Sequence, residues 1–130
     1  MDVKKIIVAI LIILTLSACS NQSPQQWNVD SAIKALNSNG LQAERLPSTL
    51  VAIEKETFNS LTPSATLKTK EQRYINVYIY ASNEQATQAL NEMLVKRKDD
   101  GTQGHISKNA LFVHFDGGFS QSEKKAIEKL

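Results

Sequence analysis

Few residues of this chain belong to the types that carry out chemistry, and they are scattered. The 130 residues include one cysteine, Cys19, and two histidines, His105 and His114. The carboxylates fall mostly on predicted polar helix faces and loops, and no pair stands out for acid–base catalysis. The sequence contains neither a G-x-S-x-G nucleophile motif nor a glycine-rich phosphate loop. We therefore expect neither an enzyme activity nor a cofactor.

The two histidines are the best candidates for metal ligands. If Asn109 closes a β-hairpin, His105 and His114 lie nearly opposite each other on facing strands, with Asp116 nearby. A zinc site needs three or four protein ligands, and the sequence offers no evident third. We therefore interpret them as two surface histidines, with a weak metal site as the alternative.

The cysteine follows a distinctive N-terminal segment. Lys4 and Lys5 precede an apolar run of eleven residues, 6–16. A transmembrane helix needs about 20 residues, whereas this length is typical of a signal peptide. The next residues, Leu16-Ser17-Ala18-Cys19, resemble the lipobox of bacterial lipoproteins. The resemblance implies that residues 1–18 are removed and that the Cys19 sulfur carries a diacylglycerol.

Three other interpretations of this segment stay open: an uncleaved anchor, a secreted protein with a free thiol, and an ordinary signal peptide before a chance cysteine. A lone cysteine has no disulfide partner within its chain, and two or more acyl chains attach a protein stably to a bilayer. We predict a protein anchored by lipid at the extracytoplasmic face of the bacterial cell membrane. Ser20 would permit outer-membrane sorting in a Gram-negative host.

The remainder of the chain divides into a tether and one domain. Residues 19–26 are predicted to be the lipidated cysteine and a flexible polar tether, and residues 27–130 a single domain. Because Lys4, Lys5 and Asp2 lie in the signal peptide, this part keeps 13 of the 15 basic and 12 of the 13 acidic side chains. Such a balance does not favour nucleic acid as a partner. The expected partners are the membrane, through the anchor, and a protein or cell-wall component.

Apolar periodicity and capping residues predict alternating helices and strands. Helices are expected over residues 28–39, 82–98 and 120–130, with an inward stripe on the second one formed by Ala86, Ala89, Leu90, Met93 and Leu94. Strands are expected over residues 74–80, 105–107 and 110–115, and over 50–53 with 41–46 as partner. Residues 58–66 are predicted to be a loop.

The strand over residues 74–80 is apolar or aromatic on both faces, so we place it in the middle of a sheet. Its tyrosines, Tyr74, Tyr78 and Tyr80, share one face, which we expect to be covered rather than to stack on a ligand. Trp27 is expected to pack at the domain edge, with the lipid interface as the alternative. The predicted fold is α/β (α+β): a single small domain, a two-layer sandwich of one mixed sheet with about three helices mainly on one face.

The second half of the chain resembles uncharacterised small extracytoplasmic lipoproteins of Gram-positive bacilli. The resemblance lies in Val77-Tyr78-Ile79-Tyr80, the capped helix over residues 82–94, the strand over residues 108–115 before Asp116-Gly117-Gly118, and residues 126–130. It implies the same fold and compartment, a host with a single membrane, and no catalytic residue.

These observations lead to two hypotheses and a weaker third. The first is a non-enzymatic, lipid-anchored binding or interaction domain at the membrane surface. The alternative is a small solute- or metal-binding lipoprotein that uses the His105/His114 face. An accessory hydrolase ranks last, because no catalytic group stands out.

Overall fold

A computed structural model of the chain describes residues 25–47, 56–115 and 117–130. In chain order its elements are α1 (Val29–Ser38), β1 (Ala43–Arg45), β2 (Ala65–Thr69), β3 (Tyr74–Ile79), α2 (Asn83–Lys96), β4 (Gln103–Ser107), β5 (Ala110–His114) and α3 (Gln121–Glu128). The predicted signal peptide, the lipobox Leu16-Ser17-Ala18-Cys19, the predicted strand over residues 50–53 and Asp116 lie outside the described residues.

The strands form one sheet in the order β1-β2-β3-β5-β4. The single small α+β domain, with one sheet and three helices in its described part, is confirmed. The expectation of a mixed sheet is wrong for this part, because every described pairing is antiparallel. Helix α2 carries the chain from β3 to the far edge, where β4 runs parallel to β3. The hairpin then returns β5 between them, so the two parallel strands never become neighbours.

The helices cover both faces of the sheet. Helices α1 and α3 pack with Ile75, Val77 and Phe112 on one face, and α2 packs with Tyr78 and Leu111 on the other. Two of the three helices thus share a face, as predicted, while α2 adds a third layer to the predicted two. Because both faces of β3 are apolar, each can bury its side chains only under a helix or loop.

The predicted loop over residues 58–66 is wrong only at its end, because Ala65 and Thr66 belong to strand β2. This strand lies between β1 and β3, so the partner of the 41–46 segment is β2. Inside the sheet the buried Thr66 hydroxyl donates to Asn76 Oδ1 at 2.8 Å, which satisfies both polar groups. Pro63 and the surrounding serines and threonines suggested a turn, but tertiary pairing makes the end of this segment a strand.

Most of the helix ends are formed by the capping residues that the local sequence predicts. Asn28 and Ser31 form a capping box at α1, as Ser120 and Glu123 do at α3. Helix α1 ends at a glycine, Gly40, with a φ of 94°, beyond which the Leu41 N–H donates to Leu36 O at 3.1 Å in a Schellman motif.

Helix α2 differs from its prediction in two details. Ser82 caps it by accepting from the Gln85 N–H, but the Gln85 side chain accepts from Ala81 instead of completing a box with Ser82. Ala86 and Met93 of the predicted inward stripe are buried, whereas Leu94 is 51% exposed. Leu94 lies at the margin of the apolar face, beyond the last buried turn.

Candidate functional site

The two histidines lie on one face of the β4–β5 hairpin but not opposite each other. The register pairs His105 with Phe112 and His114 with Gln103. Because side chains alternate between faces along a strand, all four point to the α1/α3 side. The histidines are therefore diagonal neighbours.

The imidazole of His114 is buried, so the expectation of a surface residue is wrong for it. Its Nδ1 lies 2.6 Å from the Phe115 carbonyl oxygen, which can only accept, so Nδ1 carries the proton. Nε2 has no hydrogen-bond partner among the described residues, and the ring packs edge-on to Phe119 with centroids 6.0 Å apart. Within residues 25–47, 56–115 and 117–130, no three His, Cys, Asp or Glu side chains are grouped to hold a metal ion.

The tyrosine face is covered at Tyr78 and Tyr80, as expected, whereas Tyr74 is half-buried. Tyr78 is fully buried and Tyr80 nearly so. Their hydroxyls donate to the carbonyl oxygens of Glu56 and Phe58 at 2.8 and 2.7 Å. Desolvation by burial raises the pKa of both phenols above the ordinary value, so they stay protonated donors. These rings hold a loop in place and are not free to stack on a ligand.

Several charged groups form structural ion pairs. Arg97, at the end of α2, contacts Glu56 at 2.5 Å and Asp100 at 2.9 Å, and its guanidinium lies 4.8 Å from the Phe115 ring centroid. Hydrogen bonds from Thr102 and the guanidinium of Arg97 lower the pKa of Asp100 to about 2. This cluster joins a loop to the end of a helix, and its charges serve that contact.

Strand β4 is an edge of the sheet, and no strand in the described part of the chain pairs with its outer side. Ser107 and Ala110 close a two-residue hairpin, so the hydrogen-bonded pairs continue at His105–Phe112. The N–H and C=O groups of Gly104 and Ile106 consequently point away from β5. They form a row of donors and acceptors suited to an added strand.

The surroundings of this row are mostly apolar, with the charged Lys124 and Glu128 also nearby. Beside it on α2, Leu94 is 51% exposed. A cavity of about 300 Å³ lies along the edge, with Leu94 and Gly104 among its lining residues on one side and Phe119 and Ile127 on the other. We call the outer side of β4, this cavity and the exposed Leu94 the edge groove.

Gly104 sets how closely α2 approaches the groove. A Cβ atom at this position would lie 2.8 Å from Leu90 Cδ1 and 3.0 Å from Met93 Sδ. A side chain here would therefore displace the ends of the Leu90 and Met93 side chains, so a glycine suits this close approach.

A second surface lies at the opposite end of β4, where the N-terminal segment enters the domain. The side chain of Asn109 forms two hydrogen bonds with the backbone of Trp27. Asn109 Oδ1 accepts from the Trp27 N–H at 2.7 Å, and Asn109 Nδ2 donates to the Trp27 carbonyl at 2.9 Å. Nδ2 also donates to the Tyr80 carbonyl at 2.9 Å, and the indole N–H donates to Ser107 Oγ at 2.9 Å. The sequence predicted Asn109 as a turn residue, but nothing in the sequence indicated its hydrogen bonds to Trp27.

Lysines surround Trp27. The Lys108 ammonium lies 4.1 Å from the indole ring centroid, in a cation–π contact. A cavity of about 550 Å³ extends from there, and Lys34 and Lys129 also line it. We call the surface formed by Trp27, Lys34, Lys108 and Lys129 the Trp27 face.

Comparison with protein-family models, curated proteins and solved structures finds no match for this chain. Among the described helices, none has both the length and the apolar character that a membrane crossing requires.

Proposed function

We propose that this protein is a non-enzymatic, lipid-anchored binding domain on the extracytoplasmic face of a bacterial membrane. Its anchor is the lipidated Cys19 at the end of the lipobox. Its partner is another protein, which contributes an extended segment to the edge groove. The observation that carries the binding role is the open side of β4 next to exposed apolar side chains.

The chemistry of the two sheet edges favours β4 as the site. Strand β1, at the other edge of the sheet formed by the described residues, has three residues and carries Glu44 and Arg45, features that discourage strand addition. Strand β4 has five residues and no Asp, Glu, Lys or Arg. A protein that leaves such an edge open invites pairing through its backbone.

The neighbouring apolar side chains indicate the character of the partner. Strand addition through backbone hydrogen bonds gives affinity, while side-chain pockets give selectivity. Here the pockets are formed by Leu94, Phe119 and Ile127. The partner segment is therefore extended, with at least one apolar side chain beside α2.

Site-specific photo-crosslinking in intact cells tests this proposal. A photoreactive amino acid at Leu94, which is exposed and lines the groove, should give a discrete crosslinked product with one other protein. The matched position is Glu44, which is also exposed but lies on the opposite edge strand, and it should give none. Adding Gly104→Ala to the Leu94 probe should weaken the product, because the added Cβ displaces the Leu90 and Met93 side chains beside the groove.

Equal products from the two positions, or none from Leu94, would contradict an edge-groove partner. A product of twice the monomer mass would replace the second protein by another copy of this chain.

A further inference from the structure

The three lysines of the Trp27 face come from three separate elements. Lys34 lies on α1, Lys108 in the β4–β5 turn and Lys129 just after α3. All three are exposed, and none forms an ion pair within the part of the chain that the structure describes. The fold thus gathers positive charge around one aromatic ring, although the chain as a whole is nearly neutral.

Their convergence on one ring distinguishes these three lysines, because Lys68, Lys70, Lys98 and Lys125 also form no ion pair within the described residues. Two other lysines are paired. Lys124 lies 3.9 Å from Glu128, and Lys96 lies 2.5 Å from Glu92. Those charges are offset within their own helices. Near Trp27 the charge is left available for an external anion.

The position of this face relative to the anchor indicates which anion it meets. Trp27 directly follows residues 20–26, which the sequence predicts to be a tether. A flexible coil of seven residues would span about 14 Å. With Cys19 lipidated, the Trp27 face would be held next to the bilayer surface. Tryptophan concentrates at that interface, and lysines are attracted to anionic headgroups there.

We propose that the Trp27 face docks on the phosphate headgroups of anionic phospholipids in the membrane that carries the anchor. This inference rests on the proposed lipid anchor, and it adds an orientation to it. Strand β4 runs away from the face: from Ser107 to Gln103 is four residues, about 13 Å. Docking therefore directs the edge groove away from the bilayer, where a partner can reach it.

Fluorescence of the full lipoprotein in vesicles tests the docking. Trp27 is the only tryptophan, so emission reports this face alone. The protein is reconstituted into phosphatidylcholine vesicles that contain lipids brominated near the headgroup. A second set of vesicles also contains about 30 mol% phosphatidylglycerol, an anionic lipid. We expect stronger quenching and a blue shift with the anionic lipid, reversed by high salt because screening weakens the attraction.

A matched pair of double variants separates this face from net charge. Lys34→Glu/Lys129→Glu leaves Lys108 on the indole and should remove most of the extra quenching by the anionic lipid. Lys70→Glu/Lys98→Glu changes the net charge equally, at exposed positions outside this face, and should retain it. Equal loss in the two variants, or no difference between neutral and anionic vesicles for the wild type, would overturn the docking.

Flotation of the same samples distinguishes this proposal from the anchor itself. Co-flotation with neutral vesicles reports the anchor, since no headgroup charge is present. If the wild type floats only with anionic vesicles and Lys34→Glu/Lys129→Glu does not, the anchor fails while the docking stands. If all proteins float with both kinds of vesicle but quenching is equal, the anchor stands and the docking fails.

Discussion

Replacing Arg73 with alanine is expected to lower the free energy of unfolding by about 3 kcal/mol. Arg73 Nε donates to Glu123 Oε1 at 2.8 Å, and its guanidinium also donates to the Gly118 carbonyl. The Glu123 side chain is fully buried, so the variant leaves a carboxylate inside the protein without its cation. Breaking a buried pair in this way typically costs about 3–5 kcal/mol, and we expect the lower end because Arg73 is partly exposed.

Urea denaturation measures this loss, with Lys124→Ala as the control. Lys124 and Glu128 form an exposed pair on the same helix, at 3.9 Å, and such pairs contribute about 0–1 kcal/mol. Adding Glu123→Gln to Arg73→Ala should recover part of the stability, since the buried charge is gone. An Arg73→Ala variant no less stable than Lys124→Ala would refute this account of the buried pair.

Replacing Asn109 with alanine is expected to cost about 2–3 kcal/mol and to release Trp27. The 3% exposed side chain makes three hydrogen bonds, two with the Trp27 backbone and one with the Tyr80 carbonyl. Each is worth about 1 kcal/mol net, and buried groups left unpaired add to the cost. Tryptophan emission should shift to longer wavelength in the folded variant, because the indole gains contact with water.

Asn91→Ala is the control, since Asn91 is exposed on α2; it should change neither the unfolding midpoint nor the emission appreciably. Unchanged stability and emission in Asn109→Ala would mean that the N-terminal segment is held by other contacts.

Local sequence signals predicted the helices and the strands whose apolar residues alternate. The capping pair Ser120/Glu123 and the stop at Gly40 depend on neighbouring residues only, so they can be read from the chain. The two-sided apolar pattern of β3 correctly placed it in the middle of the sheet.

What the sequence did not reveal depends on long-range packing. Both faces of β3 are apolar, so no local pattern decides which helix covers which face. The strand β2 acquires its regular structure from pairing with β1 and β3, and its Thr66–Asn76 hydrogen bond forms only once the strands meet. The order of the last three strands likewise depends on where α2 crosses the sheet. Because α2 leads to the far edge, β5 returns between β3 and β4 and pairs with both in the antiparallel direction.

The candidate surfaces also depend on long-range packing more than on local sequence signals. The sequence drew attention to His105 and His114 because of their residue type, yet the fold buries one and separates their positions in the register. The edge groove and the Trp27 face are composed of ordinary residues. Lys34, Lys108 and Lys129 are far apart in the chain, so their convergence could not be predicted from spacing.

The proposed function depends most on the lipid anchor, and metabolic labelling with palmitate tests this anchor most directly. Label should enter the wild-type protein and disappear in Cys19→Ala, because the chain has no other cysteine to accept the diacylglycerol. Ser20→Ala, a change next to the lipobox that spares its four positions, should keep the label. An unlabelled wild type, or label that persists in Cys19→Ala, would contradict the proposed lipoprotein.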